Sequence, residues 1–170
     1  MDAETHSPPP LPAHASKQQR YEALLRDVDA VLSGERDAIV WMATLACVIR
    51  ERLACFWAGF YRVVRGELVI GPYQGTLGCL RIPFSRGVCG ACARSLETIV
   101  VPDVYRFPDH IACDSRSRSE IVVPVLDREG RLRAVLDLDS TELGAFDETD
   151  RGYLERLVLR LQDVEWIDPL

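Results

Sequence analysis

The sequence contains no asparagine, one lysine among its 20 basic residues, and no long apolar run. Without asparagine there is no acceptor for N-glycosylation. No apolar stretch approaches the ~20 residues that a membrane-spanning helix needs, so we expect no membrane segment. Apart from Lys17 every basic residue is arginine. We interpret that bias as a property of the lineage rather than as a chemical requirement.

An excess of acidic residues argues against a nucleic-acid partner. The chain has 26 acidic and 20 basic residues, a net charge of −6 at pH 7, whereas nucleic-acid phosphates require clustered lysine and arginine. Its 48% hydrophobic and 27% charged residues are typical of a globular protein. A length of 170 residues predicts about one domain, which can bury a sizeable core.

The first 16 residues predict neither a packed element nor a targeting signal. They include the run Ser-Pro-Pro-Pro-Leu-Pro at 7–12 and have neither lysine nor arginine. We therefore expect a disordered arm over 1–16, a domain over 17–170 and a cytoplasmic location. In the cytoplasm the six cysteines are expected to be reduced, so core packing, metal binding or redox chemistry must explain them.

Hydrophobic periodicity predicts an α+β domain. Apolar residues three and four apart predict helices over 21–32 and 36–52, with Ile39, Met42 and Ala43 on the inner face of the second. Strands are predicted at 55–64, 67–71, 80–82, 98–101, 119–126 and 132–139, and further helices at 90–95 and 148–163. Hairpin turns at 65–66 and 127–130 indicate an antiparallel sheet. The helices would cover one face, and long polar loops or a ligand the other.

The cysteines divide according to their neighbours. Cys79, Cys89 and Cys113 lie in segments predicted as long loops, with glycine or polar residues beside them. An exposed thiol in such a place is a liability unless it is used. Cys47 and Cys55 have apolar neighbours and are expected to be small buried side chains.

Cys89 and Cys92 form a C-x-x-C motif near a predicted helix start. One interpretation is a dithiol pair, because a helix N-terminus stabilises a thiolate. Another is half of a zinc site, which Cys79, Cys113 and His110 could complete. The motif alone distinguishes neither, and Cys92 is expected to point into the core.

Three carboxylates are predicted on two paired strands. Glu120 begins one strand, and Asp137 and Asp139 lie two residues apart on the other, so the two aspartates face the same side of the sheet. Carboxylates that converge there would repel each other unless a cation lies among them, and a ligand amino group would serve. The alternative is a strand end that turns into solvent at Ser140, with Asp139 as a cap.

Several consecutive motifs resemble those of the free methionine-(R)-sulfoxide reductases, which are single GAF-domain enzymes. These motifs lie at 71–75, 79, 81–90, 101–104, 107–114, 119–124 and 135–140. The resemblance covers about 21–164. It implies a six-stranded antiparallel sheet with helices on one face and a loop-covered ligand pocket on the other.

The resemblance also implies an activity and its residues. The family reduces free L-methionine-(R)-sulfoxide with no bound cofactor or metal, and Cys113 corresponds to the cysteine that attacks the sulfoxide. Cys79 and Cys89 correspond to those that resolve the resulting sulfenic acid as a disulfide, in an order left open. The substrate-holding residues would be Trp57, Glu120, Asp137 and Asp139.

The expected partners also follow from the resemblance. One is a thioredoxin-like reductant, which NADPH and thioredoxin reductase keep reduced. The other is a second copy of the chain in a homodimer. The alternative function is a GAF module that senses a small molecule or redox state without catalysis.

Overall fold

The structure, a computed structural model, describes residues 10–166 and centres on a six-stranded antiparallel sheet of order β3-β2-β1-β6-β5-β4. The helices are α1 (Lys17–Val31), α2 (Ala38–Arg52), α3 (Gly87–Ser95) and α4 (Glu148–Val158). The strands are β1 (Trp57–Val64), β2 (Glu67–Gln74), β3 (Arg81–Pro83), β4 (Ile99–Val101), β5 (Ser119–Leu126) and β6 (Leu132–Ser140). Short 3₁₀ turns cover Val104–Arg106 and Leu159–Asp163. The predicted α+β fold is confirmed.

Local sequence signals define the ends of these elements. Ser16 begins α1 with a capping box, its hydroxyl accepting from the Gln19 N–H while the Gln19 side chain accepts from the Ser16 N–H. The β1–β2 hairpin turns at Arg65 and Gly66, both with positive φ. Residues 1–9 of the predicted arm lie outside the described part of the chain.

Two apolar layers cover the two faces of the sheet. Helices α1, α2 and α4 pack on one face, over side chains such as Phe60, Leu136 and Leu138. On the other face α3 packs over Val122 and Val135 together with the long loops. The prediction placed long loops or a ligand on this second face, whereas α3 covers part of it. Within residues 10–166, no helix has both the length and the apolar character needed to cross a membrane.

Helix α2 buries Met42 as predicted, but its buried stripe is shifted around the helix towards Trp41 and Leu45. Ile39 is 37% exposed and Ala43 is also exposed, whereas Trp41 and Leu45 are buried. The larger side chains gain more from leaving water, so the stripe centres on them. This rotation exposes Cys47, and its predicted burial was wrong.

Two boundaries on the pocket face also differ from the prediction. Strand β2 continues to Gln74, three residues beyond its predicted end, and α3 begins at Gly87 rather than at residue 90. Cys89 therefore lies in the first turn of α3 and is buried. Its predicted position in a loop was wrong, because the chain already turns at Gly87, whose φ is 68°, and the helix follows at once.

Candidate active site

Adjacent strands bring three carboxylates together on the face opposite α1, α2 and α4. In the sheet register Glu120 on β5 pairs with Asp139 on β6, and Asp137 pairs with Val122. Asp137 and Asp139 thus share a face, as the two-residue spacing predicted. All three acids line one cavity, and Glu120 and Asp137 are each only 6% exposed. Asp139 is therefore a wall of the cavity and not a strand cap turned to solvent.

Burial and mutual repulsion change the acidity of these groups. Burial raises the pKa of Glu120 well above its usual range, and the charges of Asp137 and Asp139 raise it further. Burial and the Asp139 charge likewise raise the pKa of Asp137. Burial raises the pKa of Asp139 to about 6, although the Ser117 hydroxyl donates a hydrogen bond to it. The cavity can therefore hold a proton on one carboxyl and a negative charge on another at neutral pH.

One carboxylate oxygen in this cluster has no partner. Asp137 Oδ1 is fully buried and accepts no hydrogen bond from the described residues. A buried polar atom without a partner is costly unless a ligand or a proton satisfies it. An ammonium group in the cavity would satisfy it and would offset the repulsion among the acids.

An aromatic stack forms another wall of the cavity. The Trp57 ring stacks with those of Tyr61 and Tyr73, with ring centroids 5.9 and 5.3 Å away, and its Nε1 donates to the Thr76 carbonyl at 3.0 Å. At Gly75, with a φ of 142°, an added Cβ would lie 2.7 Å from the indole Cδ1. The glycine lets the end of β2 pass over the ring and fix its orientation.

The structure joins Cys79 and Cys113 in a disulfide, with their Cα atoms 5.3 Å apart. Cys79 lies between β2 and β3 and is half-buried, whereas Cys113 lies between β4 and β5 and is exposed. Thr76 Oγ1 also donates to Asp114 Oδ2 at 2.7 Å, a second link between the two loops. Cys113 lines the cavity, and the disulfide joins Cys79 to it.

Cys89 and Cys92 have different surroundings from the disulfide pair. Both are free and buried, and the Cys89 thiol donates to Glu120 Oε1 at 3.9 Å. Cys92 donates to the Val122 carbonyl, in the core as expected. Burial and the neighbouring carboxylates raise the pKa of both thiols, so the helix N-terminus does not make either an easily formed thiolate. The dithiol interpretation of the C-x-x-C motif loses its physical basis.

The deepest part of the cavity offers a possible set of metal ligands. The Cys89 sulfur and one oxygen each of Glu120 and Asp137 lie within 4.8 Å of one another. This set differs from the zinc site considered for the C-x-x-C motif, in which Cys79 and Cys113 would be ligands, because those two cysteines are bonded to each other. The same carboxylate oxygens suit an ammonium group equally well, which makes a divalent cation a competitor for the position of a ligand amine.

Sequence reasoning missed several residues of the cavity. Ser117, Tyr61 and Ile111 line it, and Ser117 is the hydrogen-bond donor to Asp139. His110, considered from the sequence only as a zinc ligand, lines it as well. Ser117 stands within a run of alternating serine and arginine at 115–119, which gave no periodic signal. The spacing of two between Ser117 and the start of β5 was the only available indication of its position.

Comparisons with known proteins agree with this geometry. Residues 17–162 match the family model described as GAF domain. The chain is 40% identical over 150 residues to the free methionine-R-sulfoxide reductase of Escherichia coli, covering 88% of this chain and 90% of that protein. It is 45% identical over 149 residues to GAF domain-containing protein A of Dictyostelium discoideum, covering 87% of this chain and 93% of that protein.

A solved structure extends the likeness to three dimensions. The free methionine-R-sulfoxide reductase of Neisseria meningitidis, solved in complex with its substrate, is 46% identical to this chain and superposes with a TM-score of 0.83. The match covers 90% of this chain and 93% of the other.

Proposed function

The chain belongs to the GAF domain family and, within it, to the free methionine-R-sulfoxide reductases, and from this premise we propose that it reduces free L-methionine-(R)-sulfoxide to methionine. One observation carries the proposal: the cavity combines an exposed cysteine, already in a disulfide, with the buried carboxylates Glu120 and Asp137 and the half-buried Asp139. In this proposal Cys113 is the attacking cysteine and Cys79 the resolving one. The domain that does this work is 17–170.

Proton supply is the chemical requirement of the first step. A sulfoxide sulfur becomes electrophilic when its oxygen is protonated or hydrogen-bonded, and the raised pKa of the Glu120 and Asp137 carboxyls keeps a proton available there. The Cys113 thiolate attacks the sulfur, the bond between the methionine sulfur and its oxygen breaks, and the oxygen passes to the Cys113 sulfur with the proton from the carboxyl. Methionine leaves as the thioether, and Cys113 becomes a sulfenic acid. The Cys79 thiol then condenses with the sulfenic acid, water leaves, and the disulfide forms.

Substrate selection follows from the charge of the cavity. Asp139, with a pKa of about 6, is ionised at neutral pH, and Asp137 has an oxygen free to accept. Both can bind the α-ammonium of a free amino acid, which a methionine within a peptide lacks. The Trp57 ring supplies an apolar surface for the S-methyl end.

The cycle requires an external dithiol. We take it to be a thioredoxin-like protein in the cytoplasm, reduced by NADPH through thioredoxin reductase, because the disulfide must be opened after every turnover. No bound cofactor takes part in the proposed chemistry. Following the family, we propose that the chain acts as a homodimer.

A coupled assay tests the proposal. NADPH oxidation is followed with thioredoxin and thioredoxin reductase, using free L-methionine-(R)-sulfoxide, its S epimer and the N-acetylated R compound. We expect turnover with the free R epimer alone, because acetylation removes the positive charge. Equal turnover of the acetylated compound would contradict the role of the carboxylates. No turnover, with thiols that alkylation proves to be reduced, would favour a ligand-sensing GAF domain.

A further inference from the structure

The three most exposed large apolar side chains of residues 10–166 belong to segments next to the two disulfide cysteines. Leu77 is 84% exposed, Leu80 72% and Tyr105 61%. Leu77 and Leu80 flank Cys79 in sequence, and the Tyr105 hydroxyl donates to the carbonyl of Ser115 at 3.0 Å. Single exposed apolar residues need no explanation, but a group of them at one place indicates a binding surface.

The disulfide beside these segments is open to solvent. Cys113 is exposed and Cys79 half-buried, in contrast to the fully enclosed Cys89 and Cys92. Opening the disulfide requires a thiolate to reach one of its sulfur atoms directly. A reductant must therefore approach over the surface that the three apolar side chains form.

Hydrogen bonds tie two of the segments that carry this surface to their neighbours. The Ile70 N–H donates to the Leu80 carbonyl at 3.0 Å, which ties Leu80 to the edge of β2. Thr76 holds the neighbouring loop through Asp114. A surface that is ordered before binding loses less entropy when a partner docks.

We propose that Leu77, Leu80 and Tyr105 form the docking surface for a protein dithiol that reduces the Cys79–Cys113 disulfide, an inference that rests on the proposed function. The partner's first thiolate attacks one sulfur of the pair, the Cys79–Cys113 bond breaks, and the other cysteine leaves as a thiolate that takes up a proton. The partner's second thiol then attacks the mixed disulfide. Two electrons and two protons pass to the cysteines, and the partner is released oxidised. A small dithiol needs only access and gains nothing from the apolar surface.

Leu80→Ser is the cleanest test, because Leu77 also reaches the rim of the cavity and Leu80 does not line it. Turnover at saturating free L-methionine-(R)-sulfoxide is measured against thioredoxin concentration and, separately, with dithiothreitol. We expect Leu80→Ser to raise the KM for thioredoxin ~10-fold, since a large apolar contact is lost, and to leave dithiothreitol turnover within about twofold of wild type. Leu80→Met keeps an apolar side chain and should keep the wild-type KM.

Leu143→Ser is the matched control, because Leu143 is 55% exposed in the loop between β6 and α4. It should change neither reductant's kinetics. An unchanged KM for thioredoxin in Leu80→Ser would overturn the docking surface. An equal loss of turnover with both reductants would overturn it too, as would a wild-type protein that turns over with dithiothreitol but is not accelerated by thioredoxin. In each of these cases, turnover with dithiothreitol would still support the proposed reductase activity. A wild-type protein that is inactive with both reductants would overturn the proposed function and the docking surface together.

Discussion

Cys113 and Cys89 both line the cavity, but their sulfur atoms have opposite environments. Cys113 is exposed beside the cavity mouth, whereas Cys89 is 3% exposed and contacts Glu120. Burial and nearby negative charge raise the pKa of Cys89 well above its usual range, so its thiolate is scarce at neutral pH. A nucleophile must be a thiolate, and this contrast favours Cys113 for attack and Cys79 as its partner.

Serine substitutions should therefore separate the cysteines by role. Cys113→Ser should produce no methionine, and Cys79→Ser should produce about one methionine per chain before thioredoxin-supported turnover stops. Cys89→Ser should still cycle, at a reduced rate, because its sulfur does not enter the proposed disulfide. Methionine released per chain, measured by chromatography in the presence and absence of thioredoxin, distinguishes these outcomes. The exposed Cys47 provides the control Cys47→Ser, and multiple turnover by Cys113→Ser would refute the assignment.

At the scale of elements, the close approach of α3 to β3 positions Cys89 under the acids. A Cβ added at Gly90 would lie 2.7 Å from the Phe84 carbonyl oxygen and 2.8 Å from that of Pro83. These are backbone atoms that cannot rotate away. Glycine at this point lets α3 lie against the end of β3. The part of the cavity wall that α3 forms therefore depends on the absence of a side chain at position 90.

Two glycine-to-alanine variants in helices should have opposite effects. Gly90→Ala should lower the free energy of unfolding by ~1–3 kcal/mol through overpacking, in spite of the better helix propensity of alanine. Gly152→Ala in α4, where an added Cβ meets nothing within 4 Å, should raise it by ~0.5–1 kcal/mol. Urea titrations followed by circular dichroism measure both. A stabilised Gly90→Ala would mean that α3 is free to move away from β3.

Some features of the strands and helices could be predicted from the sequence, and others could not. Alternation along 132–139 correctly placed Asp137 and Asp139 on one face, because sidedness in a strand depends only on local spacing. The buried stripe of α2 depended on which neighbours pack against Trp41 and Leu45, and local spacing does not contain that information. The start of α3 depended on the positive φ of Gly87. Which cysteine pairs with Cys113 depended on contact between loops 34 residues apart in sequence.

Across the whole molecule, the buried acids make stability depend on pH in a particular direction. Their pKa values are raised on folding, to about 6 for Asp139, so the folded state binds more protons than the unfolded state above about pH 4. The free energy of unfolding therefore falls as pH rises from about 4 through 6 and beyond. Surface acids such as Asp147, whose pKa the Lys17 ammonium lowers to about 2, act in the opposite sense, and their contribution is lost below pH 4. Maximum stability is expected near pH 4–5.

Asp137→Asn should raise stability and lower activity together. Removing the buried charge should flatten the decline of Tm between pH 5 and pH 8, so that the variant melts above wild type at pH 8. Its kcat/KM for the free R epimer should fall ~10²-fold if a proton donor is lost. Calorimetry at several pH values and the coupled assay test the two parts. The exposed Asp163, paired with Arg128, provides the control Asp163→Asn, and parallel pH slopes for Asp137→Asn and wild type would contradict the argument.

The position of the disulfide allows the oxidation state of the protein to be measured from its tryptic peptides. Trypsin cuts after arginine and lysine, and the arginines at 65, 81, 106 and 116 place Cys79 in the peptide 66–81 and Cys113 in 107–116. The Cys79–Cys113 bond therefore joins two otherwise separate fragments, whereas Cys89 and Cys92 remain together in 87–94. In rapidly alkylated cells, the ratio of joined to separate fragments would give the fraction of the protein that was in the oxidised, disulfide form when the sample was taken.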